Sequence, residues 1–281
     1  MTHVMACIDG SASSAAVCDY ACWASQRLAA PLTFLHVLDH RQYPAPGDLS
    51  GTIGLGSREH LLDELAALDE KRARLALEQG RSMLDAARDR AAAAGITAAH
   101  MRQRHGHLVE TLHELESDTR LLVMGRQGQD SPAGHLGSHL ENVIRAVQRP
   151  ILVTPPRFET PRGLLLAFDG SPTMRKGVET IAASQLLAGL PIHAVTVGAD
   201  TADSRAQLDW AQKTLAQAGY HVTTDIRAGD VEPTLHAYQR EHDLDLLAMG
   251  AYGHSRIRQF LVGSTTTSMI RTSTTPLLLL R

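Results

Sequence analysis

Cysteine is scarce: Cys7, Cys18 and Cys22 are the only three, and all lie in the first 22 positions. An odd number crowded at one end makes no disulfide framework. Cys18 and Cys22 stand four apart and can share a helix face, where they read as small buried apolar side chains rather than as a metal site. An excess of charge of one sign is missing too. Lys and Arg number 27 against 30 Asp and Glu, a net −3, which leaves no concentrated basic face for nucleic acid. No apolar stretch approaches the roughly 20 residues of a membrane span. Met1 to Asp9 runs almost directly into a strand-like apolar segment, without a basic n-region or small-residue cleavage site, so the expectation is a soluble, cytoplasmic protein. Catalytic motifs are thin as well. There is no glycine-rich phosphate loop ending in Gly-Lys-Ser/Thr, and no Gly-x-Ser-x-Gly elbow. Among fifteen histidines the closest pair is His105-Gly106-His107, with no Cys or carboxylate at ligand spacing beside it, so exposed or capping histidines are expected there. The sequence therefore offers no catalytic residue and no metal site made by protein side chains alone.

What is present is a repeat. At 281 residues the chain suits two domains, either of which can bury a core. Val4-Met5-Ala6-Cys7-Ile8 is apolar without alternation, as befits a parallel strand covered on both faces. Asp9-Gly10-Ser11 stops it, Ala15 to Ala30 has helical apolar spacing, and Pro31 precedes a second strand, Leu32 to Val37. Shifting the frame by 160 gives Leu164 to Phe168, then Asp169-Gly170-Ser171, then Pro191 before Ile192 to Val197. Further on, Gly106 with Thr111-Leu112-His113 is echoed by Gly229 with Thr234-Leu235-His236. Met124-Gly125 is echoed by Met249-Gly250, and the strands opening at Pro150 and Pro276 each begin thirteen residues after a Gly-Ser pair, at Gly137-Ser138 and Gly263-Ser264. This is an internal duplication. The expectation is an α/β protein of two tandem, Rossmann-like, doubly wound parallel-sheet domains of five strands each. The first spans 1–155, a proline-rich linker spans 156–162, and the second spans 163–281. The first carries an insert over 40–94, a Pro/Gly-rich loop and a long helix from about Arg58 to Ala94, with Leu61, Leu62, Leu65, Leu68, Leu75 and Leu77 as its loosely helical apolar positions. It reads as a lid or partner surface, or as a surface helix with a loop.

Ligands of open parallel sheets bind beyond the carboxyl ends of the strands, where the winding reverses. In the second half that edge gathers Ala167 and Asp169 after the first strand, Val197 after the second, and Met249 and Gly250 after the fourth. Asp169 can accept from ribose hydroxyls or an adenine amine, and the Val197 backbone can meet a purine edge. The run Gly250 to Thr265 reads as strand, glycine-punctuated loop and helix start, a place to hold phosphate on free N–H groups. Arg256 and Arg258 lie within it. Tyr252 and Phe260 are too sparse for a stacking platform. Taken singly, an Asp before Gly-Ser is as well explained as a helix cap. The joint placement on one edge is what points to a ligand.

The spacing Gly250, two residues, Gly253, nine residues, Gly263-Ser264 resembles the ATP-binding signature of the universal stress proteins, and the resemblance covers nearly the whole chain as two copies. It implies an adenine-nucleotide α-hydrolase-like fold. It also implies a site in which Asp169 and the Val197 backbone face adenosine, Gly250 lies near the ribose, and Gly253, Gly263, Ser264 and Thr265 bind the phosphates of ATP, or of ADP or AMP, with Mg²⁺ or Mn²⁺ as a bridging ion. Family members associate through their last strands, which implies an intramolecular pseudo-dimer and leaves room for a homodimer. The first half carries the corresponding Asp9, Val37, Gly125, Gly128, Gly137 and Ser138, but only eight residues separate Gly128 from Gly137. With Asp130 inside that shortened loop and Arg126 as compensation, the first half is expected to be the degenerate site. The function expected is ATP binding in a regulatory stress response, with at most slow hydrolysis and an unidentified protein partner. The rivals are a nucleotide-independent interaction protein and an adenylyl-transferring enzyme.

Overall fold

Apolar runs of four to seven residues become strands, and the amphipathic stretches between them become helices. The computed structural model describes residues 2–38, 55–128, 138–251 and 264–281. The first half contains β1 (His3–Cys7), α1 (Ser14–Leu28), β2 (Leu32–Leu38), α2 (Leu55–Ala93), β3 (His100–His105), α3 (Leu108–Glu114), β4 (Thr119–Gly125), α4 (Ser138–Ala146) and β5 (Ile151–Thr154). The second contains β6 (Leu164–Ala167), α5 (Pro172–Ala182), β7 (Ile192–Val197), α6 (Ala202–Gln217), β8 (Val222–Arg227), α7 (Val231–Glu241), β9 (Leu246–Gly250), α8 (Ser264–Thr272) and β10 (Leu277–Leu280).

The strands form a single ten-stranded sheet in the order β3-β2-β1-β4-β5-β10-β9-β6-β7-β8. Within each half, neighbours run parallel. At the centre β5 and β10 meet antiparallel, Val153 opposite Leu277 and Ile151 opposite Leu279. The two five-stranded sheets of the repeat are thus the halves of one mixed sheet, and pairing leaves neither closing strand as an open apolar edge.

Helices cover both faces, which is why the central strands need no polar alternation: Leu164, Leu165 and Leu166 are fully buried. One face packs under α1, α2, α5 and α6, with Val17, Leu84, Val178 and Leu208 among its core residues. The other packs under α3, α4, α7 and α8, with Leu112, Ile144, Leu235 and Ile270. Both clusters run across the β5–β10 seam. The chain between Thr154 and Leu164 is pinned as well. Phe158 meets the Tyr20 ring edge-on at 4.7 Å, the Glu159 amide donates to the Tyr20 hydroxyl, and Asp245 accepts from the Arg162 and Gly163 amides.

Two elements differ from what periodicity suggests. The helix within the insert is seated by small residues, Ala76, Gly80, Ala87 and Ala91, together with Leu84, whereas Leu68 and Leu75 are 50% and 54% exposed. A close seat explains this: a Cβ at Gly80 would lie 2.2 Å from Gln103 Nε2 and 2.7 Å from His36 Cδ2, so bulk there is excluded. Residues 39–54 of the insert lie outside the described residues. The second is β3, His-Met-Arg-Gln-Arg-His, a polar segment that is a strand because it pairs with β2 along its whole length at the outer edge of the sheet.

Candidate functional site

The Asp-Gly-Ser turn is built the same way in both halves. Gly10 and Gly170 sit at φ +78° and +69°, left-handed positions that glycine adopts without cost. In each the aspartate folds back to accept from the second amide on: Ser11 N to Asp9 Oδ1 and Ser171 N to Asp169 Oδ1, both 3.0 Å. Ser171 then caps α5, its hydroxyl accepting from the Met174 amide. Asp9 also accepts from the Ser14 hydroxyl at 3.2 Å and is partly buried, while Asp169 is exposed. The second-half carboxylate is therefore the more open of the two.

A side chain from the neighbouring strand braces each turn. Thr196 Oγ1 donates to the Phe168 carbonyl at 2.8 Å, and His36 Nδ1 lies 2.9 Å from the Ile8 carbonyl. A carbonyl only accepts, so His36 carries its proton on Nδ1. The two residues are related by the 160-residue shift, so the repeat could have identified them, but no motif marks them. Beyond the brace, Val197 ends β7 and Val37 is the last residue but one of β2, both half-buried. The Gly198 amide just past Val197 is already bonded to the Arg227 carbonyl at 2.8 Å.

Gly125 and Gly250 close β4 and β9 opposite Thr154 and Leu280. Neither needs a left-handed backbone; close approach is the constraint. A Cβ at Gly250 would come 3.0 Å from Met174 Sδ, and one at Gly125 would come 3.1 Å from Ser13 Cβ. Ala167, Val197, Met249 and Gly250 lie at the ends of β6, β7 and β9, three strands adjacent in the sheet, and Asp169 follows β6 by two residues. α8 begins at Ser264 with Thr265 in its first turn, and α4 begins at Ser138. Gly128 follows β4, half-buried. Gly253, Arg256, Gly263, Gly137 and Asp130 lie outside the described residues, as do Tyr252, Arg258 and Phe260.

Arg126 has partners outside its own half. Its guanidinium crosses to the second half and donates to the carbonyls of Arg271 and Ser273 at the end of α8. That helix is also held from α7: Ser268 Oγ donates to Glu232 Oε2, and His236 Nε2 lies 3.0 Å from Thr272 Oγ1. The hydroxyl donors, Ser268 first, hold the Glu232 carboxyl below its usual range.

Elsewhere, burial first and then neighbouring thiol and carboxylate charge push Cys18 up to about 12, and burial with Asp19 pushes Cys22 up to about 11. Both are poor nucleophiles and poor metal ligands at neutral pH. Among the described residues, no three His, Cys, Asp or Glu side chains gather as metal ligands, and no helix is long and apolar enough to cross a membrane. A cleft of about 310 Å³ lined by Arg227, Thr234, Tyr238 and Glu241 lies at β8 and α7. Its one cation is engaged by Asp225 at 2.7 Å and Glu241 at 3.3 Å, which leaves it little charge to offer a ligand.

Strand ends, tight Asp-Gly-Ser turns and helix starts on one edge of a doubly wound sheet define an α/β protein of the Rossmann-like class. The Universal stress protein family model matches residues 1–155 and 198–281, and the chain belongs to that family. Universal stress protein Slr1230 of Synechocystis is 36% identical over 287 aligned positions that take in all of both chains. Among solved structures, a universal stress protein from Archaeoglobus fulgidus superposes with TM-score 0.70 at 21% identity, over 99% of this chain and 97% of that one. A functionally unknown protein from Pseudomonas aeruginosa PAO1 superposes with TM-score 0.60 at 14% identity, over 100% and 92%. The family match skips 156–197, the stretch that carries Asp169 and Val197. There the duplication is carried by geometry, since β6, α5 and β7 repeat β1, α1 and β2.

Proposed function

We propose that this universal stress protein binds an adenine nucleotide, ATP above all, mainly in its second half (163–281). In this reading Asp169 and the Val197 backbone hold adenosine, Gly250 flanks the ribose, and Gly253, Arg256, Gly263, Ser264 and Thr265 hold the phosphates with a bridging Mg²⁺ or Mn²⁺. ADP or AMP would use the same contacts with fewer phosphates. The observation that carries the reading is the convergence of Asp169, Val197 and Gly250 at the ends of three adjacent strands, with the exposed carboxylate of Asp169 at the turn. Three physical supports stand behind it. A carboxylate accepts from hydroxyl and amine groups, a strand end offers backbone donors and acceptors, and a helix start offers free amides to an anion.

The first half has the same frame but a more engaged aspartate, a shortened glycine loop and an arginine committed elsewhere, so it holds nucleotide weakly or not at all. Turnover in this reading is slow at most and the role is regulatory, in a cytoplasmic stress response exercised through a protein partner. Titration of the full chain with ATP by calorimetry, together with mass spectrometry of nucleotide carried through purification, tests this. One nucleotide per chain is expected, lost in Gly263→Asp with the circular dichroism unchanged. An absence of binding in the wild type refutes the reading in favour of a nucleotide-independent interaction protein. Rapid ATP consumption with an added small substrate would favour an enzyme instead.

A further inference from the structure

The halves touch the same helix from different sides. α8 starts at Ser264, where the phosphates are placed above, and it ends at Thr272, about 12 Å away at 1.5 Å per residue. Its last carbonyls have no partner within the helix and carry the negative end of its dipole. Arg126, the residue after β4 of the first half, donates through Nη1 to the Ser273 and Arg271 carbonyls at that end. Its own backbone is fixed by the bond from its amide to the Thr154 carbonyl at 3.2 Å, so the cation is mounted on the central sheet rather than on a free loop.

Among the described residues the arrangement is not returned by the second half. Ala251 occupies the matching position, its amide bonded to the Leu280 carbonyl at 3.0 Å, and it has no side-chain donor to send to α4. The end of α4 is instead tied within its own half, where Glu116 accepts from the Gln148 amide and the Arg149 side chain. Among the described residues the link therefore runs one way, from the loop of the expected degenerate site to the helix of the expected working one.

We infer that Arg126 is a positioning residue for the nucleotide site of the second half: the first half serves that site by anchoring the far end of the helix whose near end meets phosphate. The inference rests on the reading above. Asp169, Val197 and Gly250 lie on the strands and their turns, so they keep their places when α8 loosens, and only the phosphate end of the site is disturbed. Both bonds leave one nitrogen, Nη1, so a lysine ammonium, a point charge with three donors, reproduces them in part.

The test uses the full chain as wild type, Arg126→Ala and Arg126→Lys. Each is titrated with ATP and with adenosine, and amide hydrogen exchange is followed over residues 264–272. Arg126→Ala should weaken ATP binding about fivefold to tenfold, the size of a helix-terminal charge interaction in a partly buried setting, and leave adenosine binding unchanged. Arg126→Lys should lie between, and α8 amides should lose protection in the alanine variant. Equal loss of ATP and adenosine affinity, or unchanged ATP affinity, overturns the inference. If the wild type binds neither ligand, the nucleotide reading has failed, and with it the positioning role. The exchange data still decide separately whether Arg126 anchors α8, and unchanged protection would refute that too.

Discussion

Removing the Asp169 carboxylate separates a binding role from a structural one. In the fold this side chain makes one described bond, accepting from the Ser171 amide at 3.0 Å. The helix that follows keeps its cap without it, because Ser171 Oγ still accepts from the Met174 amide. Asp169→Ala should therefore cost about 0.5–1.5 kcal/mol of stability, the net worth of an ordinary hydrogen bond. A carboxylate that accepts from ribose or adenine is a charged partner, worth about 1.5–3 kcal/mol, so the dissociation constant for ATP should rise by roughly 10- to 150-fold. Calorimetric titration reads the second number and a denaturant melt reads the first. Asp9→Ala is the internal control, since Asp9 occupies the same turn in the half expected not to bind, and its ATP affinity should equal the wild type. An Asp169→Ala protein that binds ATP normally would refute the adenosine assignment. Loss of binding in Asp9→Ala alone would move the site to the first half.

Other expectations follow from packing and burial. Gly170→Ala should lower the melting temperature, because φ is +69° and the new Cβ would fall 1.4 Å from Gln207 Oε1. The backbone cost alone is about 1–2 kcal/mol, and an unchanged melt would show that the turn relaxes freely. Trp23 reports on the first half and Trp210 on the second. Single-tryptophan variants should unfold at one common denaturant midpoint, because both core clusters cross the β5–β10 seam, and two separated midpoints would mean independent halves. Leu279→Ala, at a fully buried seam position, should cost about 2–5 kcal/mol and shift both reporters together; a shift in one alone would argue against a shared core. Cys18 and Cys22 should resist thiol reagents near pH 8 until the protein unfolds, and rapid labelling of the native chain would contradict their burial. Their folded values of about 12 and 11 stand above the ordinary 9.0. Ionisation thus favours the unfolded chain: the stability is intact below pH 9 and declines as pH rises from 9 towards 11–12. A urea midpoint that holds constant over that window would refute it.

The sequence by itself determined the class and most of the edge. Apolar runs ending in Asp-Gly-Ser, prolines at matching offsets and Gly-Ser pairs thirteen residues before each closing strand are local signals. They work because a parallel strand must be apolar on both faces and a left-handed turn selects glycine. Gly106 and Gly229, noted only as echoes, prove to share left-handed φ values of +122° and +128°. What pattern could not show depends on neighbours distant in the chain. The polar β3 is a strand because β2 offers it a full ladder at the outer edge. The insert helix is seated on alanines, Gly80 and Leu84 while Leu68 and Leu75 stay exposed, because His36 and Gln103 lie directly beneath it. The brace of Thr196 and His36 on a carbonyl 28 residues earlier, and the reach of Arg126 across to the end of α8, exist only once the strands are side by side. Arg126 shows the division well. Its position in a glycine loop suggested compensation for the Asp130 carboxylate, and the antiparallel meeting of β5 and β10 brings the end of a second-half helix within its reach. Residue type and spacing set which groups are available, and tertiary placement decided which group each of them meets.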